Sequence, residues 1–390
     1  MSACRLAVVI SHPIQHFAPL YQEINRSEAV EIKVFFLAEN GVTEFRDQQF
    51  AEDFKWDIPL LDGYEHQFLE PGKIIEKFTF LTMDSNKLVP ALKAFRPDLI
   101  WLHGYAQLAN LRVVLSSLRH QPIIYSSDSN LADARAWWRA TLKRWYIRFF
   151  FSHCRYFLSI SPSNRAYLAH FGVVKDKIVD TRFPVDIQRL SQDRDKLPAG
   201  SKQQLRAQLN IPEDARVLLF AGKLIEHKGP QLLLQAMSKL SQPAVALFVG
   251  SGELLPSLEA TARQQQLTDR VRFIGFVNQR ELAAYYDLAD VFVFPSLKEP
   301  YGAVAAEVLP FALPMVVADS IGAIGASIIK GKNALLFATG QADRLANTLD
   351  GLLSDDTKMR SFSAASAKLA MDHDKSVMAR DIIKICSKYT

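Results

Sequence analysis

Two glutamates with seven residues between them, Glu299 and Glu307, have the spacing that most clearly indicates chemistry in this chain. A turn at 300–302 follows Glu299, and the alanine-rich segment 303–306 that comes next strongly favours a helix. Because a carboxylate accepts hydrogen bonds from a diol, each acid could hold one hydroxyl pair, one of a sugar and one of a ribose. The start of the helix, at 301–304, would offer N–H groups to a phosphate. The alternative is that Glu299 merely favours the helix dipole.

The segments around these glutamates predict a sheet edge that would position them. VFVFPS, at 291–296, is rich in β-branched and aromatic residues, so Glu299 would lie in the loop after a buried parallel strand. Glu307 would lie about a turn into the next helix, and the last predicted helices span 341–353 and 361–385. Apolar runs alternate with helical segments in both halves of the chain, which predicts an α/β fold with parallel sheets. Such sheets bind ligands at the carboxyl ends of their strands.

A second candidate site follows the predicted strand at 216–222, where Gly222 and Lys223 precede Lys228 in one loop. Two lysines five residues apart suit a diphosphate, because each ammonium can neutralise a phosphate oxygen. Two fixed cations would also stabilise a departing diphosphate in the transition state. A solvated basic loop without a ligand remains the alternative.

The segments KEPYGAVAAE, at 298–307, and GKLIEHKG, at 222–229, resemble two signatures of the family 4 retaining glycosyltransferases. The first is similar to the E-x7-E signature, with EPYG in place of the usual EPFG, and the second to the G-(R/K)-x4-K-G phosphate loop. The resemblance implies the GT-B fold, an α/β arrangement of two Rossmann-like parallel-sheet domains that face a central cleft. It implies transfer of a sugar with retention of configuration, by front-face attack assisted by the leaving phosphate.

The same resemblance implies roles for individual residues. Glu299 would contact the donor sugar and Glu307 the ribose hydroxyls, while VRFIGFV, at 271–277, is similar to the family segment whose backbone reads the base. His103 ends a stretch similar to one whose histidine lies beside the donor sugar in the family. The implied catalytic residues are His103, Lys228 and Glu299. The implied donor contacts are Gly222, Lys223, Lys228, Phe276, Val277, Glu299, Tyr301, Gly302, Ala303, Val304 and Glu307.

The loop after the first predicted strand, 6–10, is the candidate acceptor site. It carries His12, Gln15 and His16 where many relatives have a glycine pair, so side chains would occupy the space that backbone leaves open in those relatives. Asp128, just past another predicted strand, would either contact the acceptor or cap the next helix.

Basic and aromatic residues interleave between 134 and 157 more densely than elsewhere in the chain. Such a segment can lie at an anionic membrane interface, or it can be a core helix whose basic stems cover apolar surface. Stacking on single-stranded nucleic acid is the weakest interpretation, because no nucleic-acid module accompanies the segment. We expect a core helix with one face in peripheral contact with membrane, and no nucleic acid partner.

The 390 residues suffice for two domains, and 49% hydrophobic with 22% charged residues is the composition of a globular protein. We expect an acceptor-binding Rossmann-like domain at 1–190 and a nucleotide-sugar-binding Rossmann-like domain at 191–370. A helix within 371–390 would cross back to the first domain. The linker is expected at 187–214, with one short helix at 201–209.

The remaining sequence features predict which metals, partners and cellular compartment to expect. Asp193-Arg194-Asp195 matches the D-x-D pattern of metal-dependent glycosyltransferases of another fold, but it lies in the polar linker, so we expect no metal and no cofactor. The net charge of +5 is too small to indicate nucleic acid. Three widely spaced cysteines fit a reducing cytosol, and no apolar run reaches the roughly 18 residues of a spanning helix. We expect a cytoplasmic protein, peripheral on the inner face of the membrane.

These observations favour an enzyme that moves a hexose-type sugar from a UDP-, GDP- or ADP-sugar to a glycan, a lipid-linked or a small-molecule acceptor. Biosynthesis of cell-surface polysaccharide or glycoconjugate is the expected setting. One alternative is a nucleotide-sugar epimerase of the same fold, which would need a further acid/base carboxylate against the sugar. The other is a non-enzymatic basic-aromatic module that binds membrane or nucleic acid.

Overall fold

A computed structural model of the chain describes residues 3–42, 45–47, 52–54, 56–131 and 137–389. The chain divides into two compact units. Unit 1 comprises Met1–Phe45, Phe54–Pro184 and Asp374–Thr390, and unit 2 comprises Arg46–Asp53 and Val185–His373. The chain therefore leaves unit 1, builds most of unit 2, and returns to unit 1 for its last helix.

The strands are short and mostly buried, as expected for sheets covered on both faces. In chain order they are β1 (Cys4–Ile10), β2 (Val30–Phe36), β3 (Phe45–Asp47), β4 (Glu52–Phe54), β5 (Glu65–Phe68), β6 (Leu99–His103), β7 (Ile123–Ser126), β8 (Tyr156–Ser159), β9 (Ile178–Asp180), β10 (Arg216–Ala221), β11 (Ala244–Val249), β12 (Val271–Gly275), β13 (Val291–Phe294), β14 (Met315–Ala318) and β15 (Ala334–Phe337).

The α-helices connect these strands. In chain order they are α1 (Phe17–Asn25), α2 (Leu88–Phe95), α3 (Leu108–Leu115), α4 (Trp137–Ser152), α5 (Pro162–His170), α6 (Ile187–Asp195), α7 (Ser201–Gln208), α8 (Pro230–Met237), α9 (Leu255–Gln264), α10 (Gln279–Leu288), α11 (Val304–Glu307), α12 (Ala342–Leu353), α13 (Asp356–Leu369) and α14 (Lys375–Cys386). None of the helices in the described ranges combines the length and the apolar character needed to cross a bilayer.

Each unit is built on one parallel sheet, which confirms the expected fold class. Unit 1 contains seven strands in the order β5-β2-β1-β6-β7-β8-β9, and unit 2 contains six in the order β12-β11-β10-β13-β14-β15. β3 and β4 form a separate two-stranded sheet. Within each parallel sheet the carboxyl ends of all strands lie along one edge, so loops far apart in sequence become neighbours there.

The last helix belongs to unit 1. α14 packs against α1, and Ile382 and Cys386 on its inner face are fully buried. β1 begins this core with Cys4, which is also fully buried. Unit 1 is therefore closed by a segment that follows unit 2 in the sequence.

Three helical predictions differ from the observed elements. The predicted linker contains a second helix, α6, which begins where the Asp186 carboxylate accepts a hydrogen bond from the Arg189 N–H. The helix predicted at 361–385 is two helices, α13 and α14, because a short 3-10 turn interrupts it and the Asp374 side chain caps α14. The helix after Glu299 is a single turn, α11, followed by another 3-10 turn.

Candidate functional site

An ion pair between Lys228 and Glu299 is the centre of the candidate site in unit 2. Lys228 follows β10 and Glu299 follows β13, and these two strands are neighbours in the sheet. The backbone N–H of Leu297 donates to the His227 carbonyl at 2.8 Å, which holds the two loops together. The Glu299 side chain is only 11% exposed, so its partner compensates much of the cost of burying a carboxylate.

Glycines let these loops approach each other closely. Gly250, in the loop after β11, has φ of +135°, and a Cβ there would overlap the carbonyl oxygen of Gly222. Gly229, with φ of +67°, sits against the Pro295 carbonyl in the same way. Only a residue without a side chain fits these left-handed, crowded positions, so they fix the path of the loop that carries Lys228.

Glu307 is held by a buried tyrosine. The Tyr286 hydroxyl, on α10, donates to the Glu307 carboxylate at 2.8 Å, and Tyr286 is fully buried. Burial and the nearby Glu307 charge raise the pKa of Tyr286 well above its usual value, so the hydroxyl keeps its proton as the donor. Glu307 is itself 6% exposed and ends α11.

The loop after β10 carries a strongly positive field. The pKa of His227 is lowered first by partial burial and then by Lys228, with further contributions from Lys223 and Lys298, while Glu299 acts in the opposite direction. Three lysine ammonium groups are therefore near enough to His227 to disfavour its protonation. Such a field suits a polyanionic ligand such as a diphosphate.

The remaining predicted donor residues lie along the same edge of the unit 2 sheet. Phe276 and Val277 follow β12 and are half-buried, and the carbonyl of the preceding Gly275 accepts the Gly250 N–H at 2.8 Å. Tyr301 and Gly302 are buried, whereas Ala303 and Val304 are partly exposed at the start of α11. Because α11 is only one turn long, its dipole is small, and the three lysines near His227 contribute further positive charge.

Both carboxylates of the D-x-D match pair with arginines. The match ends α6, where Asp193 pairs with Arg189 at 2.7 Å and Asp195 with Arg194 at 2.8 Å. In the parts of the chain that the structure describes, no group of three or more His, Cys, Asp or Glu side chains could hold a metal ion.

His103, in unit 1, is a buried histidine with a partner at each ring nitrogen. Its Nε2 lies 3.2 Å from the Tyr21 hydroxyl, and its Nδ1 lies 3.3 Å from the Ser126 Oγ. The ring also packs against Phe17 and Trp101, with ring centroids 4.6 and 4.5 Å away. Burial lowers the pKa of His103 to about 3, so the ring is neutral near pH 7 and can act only through hydrogen bonds. Its role beside a donor sugar stays a prediction.

Three further predicted residues of unit 1, all in one loop, lie just before α1. The His12 Nδ1 is 2.9 Å from the Ser11 Oγ, and burial lowers the pKa of His12 to about 4. The Gln15 Nε2 lies 3.3 Å from the His16 Nε2, so these two side chains contact each other. Asp128 is exposed in irregular chain beyond β7, and its alternative role as a helix cap is untested because residues 132–136 lie outside the described ranges.

The basic-aromatic segment forms α4, and its inner face is core. Ile147 and Phe150 are fully buried in the unit 1 core, as the core interpretation expected. Arg135 of the predicted segment lies outside the described residues, and so do the side chains of residues 137–140. The burial of this inner face does not test the membrane contact predicted for 134–157.

Comparison with known proteins defines the class of fold first. HepE of Anabaena, solved in complex with UDP, is 17% identical and superposes with a TM-score of 0.75 over 99% of this chain and 100% of its own. Sucrose-phosphate synthase of Thermosynechococcus elongatus is 21% identical, with the same TM-score over 99% of this chain and 98% of its own. At these identities the likeness shows the fold, which is GT-B.

Sequence comparison then gives the family. Residues 29–189 match the family described as "Glycosyltransferase Family 4", and residues 201–369 match "Glycosyl transferases group 1". The chain belongs to the family 4 glycosyltransferases, as the E-x7-E resemblance implied.

Individual relatives match this chain over 40–52% of their own length. A D-inositol 3-phosphate glycosyltransferase of Xylanimonas cellulosilytica is 35% identical over 176 residues, which is 44% of this chain and 42% of that protein. An uncharacterized glycosyltransferase of Methanocaldococcus jannaschii, MJ1607, is 34% identical over 156 residues, 40% of each chain. Both partial matches are to glycosyltransferases.

Two residues near the candidate site were not singled out from the sequence. Lys298 adjoins Glu299 and adds to the positive field around His227, a role that its position directly before the EPYG segment could have suggested. Tyr286 gives no such signal, because its contact with Glu307 arises only when α10 packs near α11. The sequence could therefore have indicated Lys298 but not Tyr286.

Proposed function

We propose that this chain is a retaining glycosyltransferase that moves a hexose-type sugar from a nucleoside diphosphate sugar to an acceptor, without a metal. The observation that carries the proposal is the Lys228–Glu299 ion pair at the carboxyl edge of the unit 2 sheet. The pair brings a cation for the diphosphate and a carboxylate for the sugar hydroxyls to the same place. Family membership gives the reaction class.

In this proposal different residues of unit 2 bind different parts of the donor. Lys223 and Lys228 neutralise the diphosphate and stabilise it as it leaves, which lowers the barrier to C–O bond cleavage. Glu299 accepts hydrogen bonds from the sugar, and Glu307 accepts them from the ribose. Phe276 and Val277 offer backbone groups to the base. The acceptor oxygen attacks the anomeric carbon on the face that the diphosphate leaves, and its proton passes to the departing phosphate.

The acceptor is proposed to bind in unit 1, beside His12, Gln15 and His16. A glycan, a lipid-linked or a small-molecule acceptor would fit the proposal, with cell-surface polysaccharide or glycoconjugate as the product. The proposed place of action is the cytoplasmic side of the membrane.

The test uses calorimetry to measure how much UDP, GDP or ADP, each added separately, stabilises the full chain against unfolding. UDP comes first because the HepE structure contains it. At about 100 times Kd, a ligand of the folded state adds about 2.7 kcal/mol to stability. Loss of one charged hydrogen bond costs about 1.5 kcal/mol or more, so Lys228→Ala should reduce the gain to about 1.3 kcal/mol or less.

Lys239→Ala is the matched control, because Lys239 is an exposed lysine of unit 2 paired with Asp343. It should keep the full stabilisation. The proposal fails if none of the three nucleotides stabilises the chain, or if the two lysine variants respond alike. A product assay with donor alone then separates transfer from epimerisation, which needs no acceptor. The anomeric configuration of the transfer product, read by NMR, tests retention.

A further inference from the structure

Exposed large hydrophobic side chains are concentrated in unit 1. Within the described ranges ten such side chains are exposed, and nine of them belong to unit 1. Six of the nine come from two segments, α4 and the loop at 72–83, which are distant in sequence. An exposed apolar surface of this kind marks a site of interaction rather than chance.

The outer face of α4 carries three of these side chains in one stripe. Leu142, Trp145 and Phe149 are 66%, 73% and 43% exposed, and their spacing of three and four residues puts them on one side of the helix. Arg144 and Arg148 are exposed beside the stripe. The sequence of α4 contains four basic residues and no acidic residue.

The loop at 72–83 holds the other three side chains outward on a fixed backbone. Ile74, Phe78 and Leu81 are 40%, 44% and 71% exposed. The buried Asn40 side chain bonds both the N–H and the carbonyl of Ile75, at 2.9 and 3.0 Å. The Lys73 ammonium donates to two further carbonyls, of Thr82 and Asp84. These hydrogen bonds fix the loop backbone in the conformation that leaves the three side chains exposed.

Aromatic contacts join the two segments to the candidate acceptor loop. The Phe80 ring meets the Tyr146 ring of α4 edge to face, with centroids 6.2 Å apart. The Phe78 ring lies 4.9 Å from the His12 ring. The loop at 72–83 therefore contacts both α4, through Phe80, and the candidate acceptor loop, through Phe78.

We propose that unit 1 binds the surface of an anionic lipid bilayer through this patch, which we call the bilayer face. It is defined by Ile74, Phe78, Leu81, Leu142, Trp145 and Phe149. Leucine, phenylalanine and tryptophan insert at the boundary between headgroups and acyl chains, while adjacent arginines pair with anionic headgroups. Three of the six residues are aliphatic, which favours a bilayer over nucleic acid, because bases stack on aromatic rings.

The bilayer face also narrows the acceptor class, and this part rests on the proposed function. Because the face reaches His12, an acceptor carried in the bilayer would meet the candidate acceptor loop directly. A lipid-linked acceptor is then favoured over a soluble one. Donor binding by unit 2 does not depend on this inference.

Flotation of the full chain with vesicles tests the proposal. The probes are vesicles of phosphatidylcholine alone and of phosphatidylcholine with 30% phosphatidylglycerol, at about 0.1 M and 0.5 M salt. The wild type should float with the anionic vesicles and less so at high salt. Trp145→Ser and Leu81→Ser should each lower the partition coefficient about tenfold.

Leu115→Ser is the matched control, because Leu115 is 59% exposed in unit 1 but lies on α3, outside the bilayer face. It should float like the wild type. The proposal is overturned if the wild type stays unbound, or if Leu115→Ser loses as much binding as Trp145→Ser. Sedimentation velocity detects the competing occupant: conversion of a dimer to a monomer by Trp145→Ser would assign the face to a second copy. Displacement from vesicles by single-stranded RNA would assign it to nucleic acid.

The same variants separate the two proposals. Trp145→Ser and Leu81→Ser should keep the nucleotide-induced stabilisation of the wild type. If stabilisation is absent from all variants while flotation follows the expected order, the donor proposal fails and the bilayer face stands. If stabilisation is normal and flotation fails, the bilayer face is refuted and the donor proposal stands.

A separate observation, the buried Tyr286–Glu307 hydrogen bond, carries a second inference. We infer that Tyr286 is a positioning residue for ribose recognition, given the proposed donor site. Its hydroxyl fixes one carboxylate oxygen of Glu307 at 2.8 Å, and its ring is held by the Phe311 ring at 5.2 Å. A carboxylate fixed in this way loses less rotational entropy when it accepts the ribose hydroxyls.

The test compares a nucleoside diphosphate with its 2′,3′-dideoxy counterpart, using the base that stabilises the wild type. The wild type should bind the dideoxy compound at least about tenfold more weakly, because a carboxylate loses its ribose partners. Tyr286→Phe should reduce this ratio about threefold. Tyr285→Phe, a half-buried neighbour on α10, is the control and should leave the ratio unchanged.

Discrimination against the dideoxy compound separates positioning from a general structural role. A structural defect weakens both nucleotides and leaves their ratio unchanged. Glu307→Gln should lower the ratio further when Tyr286 is present than in the Tyr286→Phe background, because Tyr286 acts through Glu307. An unchanged ratio in folded Tyr286→Phe overturns the inference, whereas a wild type that does not discriminate overturns the ribose role of Glu307 itself.

Discussion

Protonation of His103 should make unit 1 the acid-sensitive part of this chain. In the folded chain the pKa of His103 is lowered to about 3 by burial, whereas an exposed histidine titrates near 6.5. The unfolded chain therefore binds a proton at pH 5 that the folded chain rejects. Proton uptake by the unfolded chain destabilises the folded state, so the free energy of unfolding is highest above about pH 6.5 and falls as the pH drops toward 3.

The magnitude follows from the two pKa values. Between pH 7 and pH 5 the unfolded form of His103 goes from mostly neutral to mostly protonated, while the folded form stays neutral. The free energy of unfolding should fall by about 2 kcal/mol over this interval through His103 alone. His12, with a pKa lowered to about 4, acts in the same direction.

Urea unfolding followed by tryptophan fluorescence measures this loss in unit 1. All five tryptophans of the chain belong to unit 1, and Trp101 packs against His103 itself. His103→Gln should show a pH 7 to pH 5 loss that is smaller than the wild type's by about 2 kcal/mol. His120→Gln, which changes an exposed histidine of the same unit, should behave like the wild type.

A wild-type chain equally stable at both pH values would refute the reasoning. So would a His103→Gln variant that retains the full pH dependence, because the proton would then bind elsewhere. Either result would mean that the ring is hydrated or paired in a way that burial does not describe.

Three further predictions test two fixed loops and the end of one helix. Gly250→Ala should cost about 1–3 kcal/mol in unit 2, measured by circular dichroism during denaturation, because its Cβ overlaps the Gly222 carbonyl. Asn40→Ala should cost about 1–3 kcal/mol in the fluorescence assay and speed proteolysis within 72–83, because the backbone of Ile75 loses both partners; unchanged proteolysis would contradict it. Arg96→Gly should gain about 0.5 kcal/mol, because Arg96 ends α2 with φ of 52°, a conformation that glycine adopts freely; a loss of stability would contradict it.

The positions of Lys228 and Glu299 at strand ends were predictable from the sequence, but the pairing of β10 with β13 was not, because two other strands lie between them in the chain. Each residue follows an apolar strand, and the loops of neighbouring parallel strands meet at one edge. The family resemblance added the assignment of each residue to a part of the donor. The fold class was accessible for the same reason, since apolar runs alternate with helical segments throughout.

The environments of His103 and Glu307 were not accessible in this way. The partners of His103 come from α1 and β7, and the partner of Glu307 comes from α10, so both depend on packing between distant segments. The break between α13 and α14 was missed because Asp374 caps a helix inside a stretch whose periodicity continues. The exposure of the loop at 72–83 depends on Asn40, about 35 residues earlier, which no local pattern reveals.

The return of the chain to unit 1 has a consequence for its biosynthesis. A ribosome makes protein from the amino end, so α1 and the first sheet are translated long before α14. Until residues 374–389 emerge, the surface of α1 that α14 covers is open to solvent and to chaperones. Unit 2 can complete its own core during that interval, because it is contiguous from Val185 to His373. The half of the protein that is translated first is therefore finished last.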